Sequence, residues 1–185
     1  FQFAEFKKKK VSVKSQINYQ VDKQFTLTDS IMIVPDSILV SGPNIFVDTI
    51  RTVSTKKLEL GTLDKSYEEV VELQPYSHLK YDIEKVKCRI DLEKLTEVSV
   101  QVPIQINGLP DSIRMQTFPQ YIKVTGKIGL SKYERIVPEA FWVEINYNEV
   151  NGEKSRLPVV IKTVPDDLQS ISYYPQTVEY LLTVK

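Results

Sequence analysis

Few side chains in this sequence could carry chemistry, and their types and spacing limit what that chemistry could be. The one histidine, His78, sits in the segment Gln74-Pro75-Tyr76-Ser77-His78. A Ser-His-Asp or Cys-His site would need it to meet a nucleophile brought from elsewhere in the fold. The one cysteine, Cys88, stands in phase with Val86, Ile90 and Leu92. It reads as a small core hydrophobe, because a reactive thiolate needs an accessible, electropositive setting. Glu68-Glu69 and Asp166-Asp167 are adjacent carboxylates. Neighbours on a strand point to opposite faces and cannot share a substrate, so both pairs read as solvated charge.

Zinc-ligand spacing and an EF-hand loop are both missing, and the six glycines form no G-x-G-x-x-G or Walker loop. The residues therefore point to a non-enzyme with no metal or cofactor site. An enzyme with an unrecognised site is the competing reading, and a cleft holding His78 beside a carboxylate would favour it. Contact chemistry is better represented. Trp142 and the run Tyr173-Tyr174-Pro175 form a candidate interaction patch, aromatic residues being favoured at the centres of protein interfaces. Trp142 is out of phase with the apolar face of its own strand, so it meets either solvent or a second buried face. The lysine run at 7–10 reads either as a hydrated linker or as a contact with anionic lipid.

The elements that must position these residues are strands. Val98, Val100, Val102, Ile104 and Ile106 alternate with mainly polar partners, as do Phe141, Val143, Ile145 and Tyr147, and then Val178, Tyr180, Leu182 and Val184. A period of two marks strands half buried on one face. Val11, Val13, Ile17 and Tyr19 repeat the pattern earlier in the chain, as do Val86, Cys88, Ile90 and Leu92. Turn residues fall between the runs, at Asn107-Gly108-Leu109-Pro110, Asn151-Gly152 and Ser41-Gly42-Pro43. The segments after Gly42 and Gly126 each have room for one short helical turn. Pro43 would suit the first position, with Ile45, Thr49 and Ile50 on one face.

Hydrophobic residues make up 42% and charged residues 26% of the chain, which is ordinary for a globular protein. Residues 1–96 carry 15 Lys and Arg against 14 Asp and Glu, and residues 97–185 carry 9 against 10. Neither half supplies the field that a nucleic-acid backbone requires, which argues against a ribosome- or nucleic-acid-binding β domain. No apolar run reaches the roughly 18 residues of a transmembrane helix.

The chain also repeats itself. VPDSILVSGP at 34–43 and FPQYIKVTGK at 117–126 share a skeleton, with Pro35, Ile38, Val40 and Gly42 answering Pro119, Ile122, Val124 and Gly126 at an offset of 84. VSVKSQI at 11–17 matches VSVQVPI at 98–104 at an offset of 87, and VKCRIDLEK at 86–94 matches VEYLLTVK at 178–185 at an offset of 92. Unequal offsets are what loop insertions leave between diverged copies of one domain. The opening FQFAEFKKKKV answers CRIDLEKLTEV at 88–98, with Phe1 and Phe3 in the places of Cys88 and Ile90. Residues 1–10 are thus expected to be the tail of a preceding repeat or a linker, followed by domains at 11–95 and 96–185.

In the second copy the order is VSVQVPIQI, NGLPDSIRM, FPQYIKVTG, LSKYERI, WVEINYNEVNG, LPVVIKT and YYPQTVEYLL. This order resembles the YbbR-like domain family, whose domains come as tandem repeats of this length. The first copy departs from it, lacking the N-x-P turn and the proline before Val86, and Asn146 stands where many members have Asp. The resemblance implies a mostly β fold, two tandem YbbR-like domains with at most one short helix each. It also implies a parent protein tethered outside the bacterial cytoplasmic membrane by a segment upstream of Phe1. It implies a regulatory, non-enzymatic role with a protein partner, a membrane diadenylate cyclase being the candidate. The family has no transferable set of catalytic residues, so none is carried over.

Overall fold

Apolar residues at every second position become strands throughout, because that spacing buries one face and leaves the other in water. The structure is a computed structural model and describes residues 5–185. The chain divides into two compact units, Phe1–Lys94 and Leu95–Lys185. Unit 1 contains β1 (Phe6–Lys14), β2 (Ile17–Val21), β3 (Phe25–Leu27), β4 (Met32–Val34), β5 (Ser37–Pro43), helix α1 (Asn44–Thr49), β6 (Thr52–Ser54), β7 (Leu58–Leu63), β8 (Tyr67–Glu72), β9 (Lys80–Tyr81) and β10 (Lys85–Ile90). β11 (Leu92–Asn107) starts in unit 1, where Leu92 to Lys94 pair with β3, and supplies the first strand of unit 2. Unit 2 continues with β12 (Ile113–Phe118), β13 (Tyr121–Gly129), β14 (Trp142–Asn146), β15 (Arg156–Pro158), β16 (Val160–Thr163), β17 (Gln169–Tyr174) and β18 (Thr177–Val184). Three short 3-10 segments, Leu130–Arg135, Pro138–Ala140 and Tyr147–Glu149, complete it.

Each unit encloses a core between sheets. In unit 1 the sheets β6-β1-β5-β9 and β4-β10-β8 contribute Val11, Val13, Val40, Val71, Val86 and Ile90 to one apolar cluster, and β2 pairs separately with β7. In unit 2 the sheets β16-β14-β11-β13-β17 and β12-β18-β15 do the same with Val102, Ile122, Val143, Leu157 and Val178. Cys88 is fully buried in the first core, and burial pushes its thiol pKa up.

The strand pairings of unit 1 recur in unit 2. β1 is antiparallel to β5 with Val11 opposite Ile38, and parallel to β6 with Val13 opposite Val53. β11 is antiparallel to β13 with Val102 opposite Ile122, and parallel to β14 with Ile104 opposite Val143. In the second sheets, Cys88 faces Ile33 and Val86 faces Val71, as Tyr180 faces Thr117 and Val178 faces Leu157. The offsets of 84 and 92 seen in the sequence fit these pairings, and the offset of 87 does not. Val11 answers Val102, 102 − 11 = 91 residues on, rather than Val98. The two VSV stretches are matched four residues out of place, an even slip that leaves every side chain on its proper face.

Two further expectations are corrected. Residues 6–10 are not a tail or linker: they begin β1, with Lys7 opposite Gly42, so unit 1 is under way before Val11. The matching of Phe1 and Phe3 lies outside the described residues. After Gly42, α1 does form, but Pro43 precedes its first residue. Its buried side chain is Val47, whereas Ile45 is exposed. A helix of six residues touches the core with only one of them. In unit 2 the strand runs past Gly126 to Gly129 before a 3-10 turn takes over.

The two glycines that close the repeated motif share a physical reason. A Cβ on Gly42 would stand 2.6 Å from the His78 carbonyl oxygen and 2.8 Å from Leu79 Cδ2. A Cβ on Gly126 would stand 2.7 Å from Leu168 Cδ1 and 3.1 Å from the Gln169 carbonyl oxygen. In each unit, then, the chain entering the edge strand lies directly on a glycine. Gly42→Ala is expected to destabilise by about 1–3 kcal/mol through overpacking against fixed backbone. Gly126→Ala, which meets mainly a leucine side chain able to turn aside, should cost less; urea unfolding of both variants measures the difference. Cys88 is expected to resist alkylation in native protein and to react upon unfolding, and rapid native labelling would contradict its place in the core.

Candidate functional site

The residues that could perform chemistry are kept apart or occupied. His78 is exposed, at a positive φ of 65°, and its ring stacks on Phe46 with centroids 4.8 Å apart. Among the described residues, no hydrogen bond or ion pair joins it to a carboxylate. Glu68 pairs with Lys87 at 2.7 Å and Glu69 accepts a hydrogen bond from the Tyr67 hydroxyl. Asp167 pairs with Lys132 at 2.8 Å and lies 3.7 Å from Arg135. A cleft of about 470 Å³ in unit 1 is lined by Tyr76, Leu79 and Tyr81 with Lys56, Glu72 and Lys85. Lys80 and Glu84 also line it, and three of its ions engage one another: the hydrogen bond from Lys56, then the charges of Lys56 and Lys85, hold the Glu72 carboxyl below its usual range. Among the described residues, no group of three or more His, Cys, Asp or Glu side chains is placed to hold a metal ion. No helix among them is long and apolar enough to cross a membrane.

The aromatic residues form a surface on the outward face of the large sheet of unit 2. Strand parity determines this arrangement: Val143 and Ile145 of β14 enter the core, so Trp142 and Glu144 face away from it. Trp142 is 50% exposed, and of its two alternatives it takes the solvent. On β17, Tyr173 sits opposite Val124 and packs against the core, its hydroxyl donating to the Val159 carbonyl at 3.2 Å. Tyr174 sits opposite Lys123 and is 79% exposed. The two adjacent tyrosines therefore serve opposite faces, and Tyr173 is an anchor of the surface rather than part of it.

Its place is taken by Tyr121, which is 52% exposed. Tyr121 lies opposite Pro103 on β11, whose next residue, Ile104, lies opposite Val143. Pro103 thus stands between Tyr121 on one neighbouring strand and Trp142 on the other. The signal for Tyr121 was in the sequence, since a residue directly before buried Ile122 must point outward.

Trp142 is held in its orientation. Its indole Nε1 donates to Glu144 Oε2 at 3.0 Å, while Glu144 Oε1 lies 3.5 Å from both Asn107 Nδ2 and Lys162 Nζ. The indole hydrogen bond, and then the Lys162 charge, draw the Glu144 carboxyl below the usual range for glutamate, with burial acting in the opposite sense.

No family model matches the chain, and no curated protein matches it. Among solved structures, a crystal structure of a YbbR-like protein from Streptococcus pneumoniae TIGR4, at 2.74 Å resolution, aligns with 98% of this chain and 96% of that chain. The two are 12% identical, with a TM-score of 0.34.

Because the folded state lowers the Glu144 pKa, the stabilisation from this group is fully present above its unfolded pKa. It is lost as pH falls through the folded pKa. Trp142 is the sole tryptophan, so its emission reports the step directly. Titration of native protein is expected to shift the emission at a midpoint below the ordinary range for glutamate. Glu144→Gln should remove the step, and an unchanged transition in that variant would assign it to another group.

Proposed function

We propose that this chain is a non-enzymatic interaction module, two tandem copies of a YbbR-like domain in a protein tethered at the extracytoplasmic face of the bacterial cytoplasmic membrane. The observation that carries the reading is the outward surface of Trp142, Pro103, Tyr121 and Tyr174, three large aromatic side chains on one rigid sheet. Sheet residues hold such groups with little loss of freedom on binding, and exposed Trp and Tyr are the side chains that concentrate binding energy at protein interfaces. The recurrence of strand pairings in the two units supports the tandem-copy reading, alongside the order of motifs in the sequence. The partner is a protein, and the family resemblance supplies a membrane diadenylate cyclase as its identity. A tether beside such an enzyme raises the effective concentration enough for a modest interface to suffice.

Full-length protein is expected to co-purify with the cyclase from membranes and to change cyclic di-AMP output, while turning over no substrate by itself. Trp142→Ala combined with Tyr121→Ser and Tyr174→Ser should weaken the association by at least about 30-fold, the loss expected from one hot-spot aromatic. Retention equal to wild type would exclude this surface as the interface. A genome without a diadenylate cyclase would exclude the named partner.

A further inference from the structure

β1 sorts the lysine run at 7–10 into two sets. Lys7 and Lys9 share the parity of buried Val11 and Val13, and both are engaged. Lys7 Nζ lies 2.6 Å from Asp48 Oδ1, and Lys9 Nζ donates to the Ile50 carbonyl at 2.8 Å, beside the end of α1. Lys8, Lys10 and Lys14 have the opposite parity and are exposed, together with Phe6. The register sets Lys8 beside Ser41 on β5 and Ser41 beside Lys80 on β9, while Lys10 sits beside Leu39. One wet sheet face of unit 1 thus carries four lysines, with Phe6 78% and Leu39 45% exposed among them.

Among the described residues, none of these four lysines has an ion-pair partner. Of the carboxylates that flank these strands, Asp82 Oδ1 accepts the Leu39 N–H at 2.8 Å, Asp36 Oδ1 the Ser37 hydroxyl at 3.0 Å and Glu5 Oε2 the Asn44 side-chain amide at 3.1 Å; they keep their charge but are turned to these neutral donors rather than to the four lysines. Unit 2 provides the control. At the positions answering Lys8, Lys10, Lys14 and Lys80 it has Ser99, Gln101, Gln105 and Ser172, and Glu97 answers Phe6. The sheet can therefore be built without charge at these four positions, the exposed lysines on that face of unit 2, Lys123 and Lys127, lying on β13 instead.

We propose that this face of unit 1 docks on an anionic lipid bilayer. Charge complementarity carries the argument. Three of the lysines lie along β1 and the fourth on β9, two strand spacings of about 4.8 Å away, and together they meet a planar array of negative headgroups at several points at once. The apolar groups select lipid over a soluble polyanion, because Phe6 and Leu39 gain from entering the headgroup boundary and have nothing to enter in a dissolved chain. This contact stands apart from the proposed protein interface, which uses unit 2.

Co-sedimentation of the full chain with vesicles tests it. Binding is expected to vesicles of equal parts phosphatidylglycerol and phosphatidylcholine, not to phosphatidylcholine alone, and should fade as salt shortens the screening length. Lys8→Glu with Lys10→Glu should weaken binding by about ten-fold or more, and the milder Lys8→Gln with Lys10→Gln by less, both with an unchanged circular dichroism spectrum. Phe6→Ser should weaken it by a smaller factor. Lys23→Glu with Lys57→Glu, the same charge change at exposed lysines outside these four strands, should leave it intact. Equal loss in that control, no loss in the Lys8 and Lys10 variants, or binding to heparin or RNA without binding to anionic vesicles would overturn the proposal.

Discussion

Each unit depends on one strand that is antiparallel to one neighbour and parallel to the other: β1 in the first, the unit 2 part of β11 in the second. Such a strand pairs with one neighbour along its first part and with the other along its last, the exchange falling at Ser12 in β1 and between Pro103 and Ile104 in β11, and its two faces are left to differ. Inward side chains, Val11 and Val13 or Val98 and Val102, must be apolar because they are sealed between sheets. Outward side chains are constrained only by solubility. The two units have used that freedom differently, one for a cluster of lysines and the other for aromatics among charges of both signs, Lys123 and Glu144 included.

Ion pairs do little to hold this arrangement. Lys7 with Asp48, Lys87 with Glu68 and Arg156 with Glu179 have both partners about half exposed, and such pairs contribute little in water. Cohesion comes from burial and from completed polar contacts. Among the described residues, no buried side-chain nitrogen or oxygen is left without a hydrogen-bond partner. The role of the close glycines follows from the same tight packing, since a single added methyl group would press on the His78 carbonyl beside Gly42 and on the Leu168 side chain beside Gly126.

Much of the β character was legible in the sequence because alternation is a direct physical trace of one-sided burial. The register was less so. The slip of the VSV match, Val11 to Val98 instead of Val102, leaves no trace in the alternation, because moving by four residues preserves parity and puts Val102 and Ile104 in place of Val98 and Val100; only cross-strand partners distinguish the two. The patch of Trp142, Tyr173 and Tyr174 was read by composition. Parity, applied residue by residue, would have removed Tyr173 and added Tyr121. The lysine run looked uniform, yet half of it is tied to α1, an element too short to leave a periodic signal. The hydrogen bond from Trp142 to Glu144 is an i to i+2 contact along one strand face, and only the fixed orientation of the indole reveals it.

Each of the larger sheets has a short strand at one edge or both. β9 has two residues, β4, β6 and β15 three each, and β16 four. Among the six-residue edges of these sheets, β8 and β12 keep a regular register, while β17 is thrown out of register beside Gly126. An open sheet edge invites any passing extended chain to join it, and brevity or irregularity is how that invitation is withdrawn. At the short and irregular edges a neighbouring molecule therefore finds little backbone to join. Such reticence at the edges leaves recognition to the side chains alone.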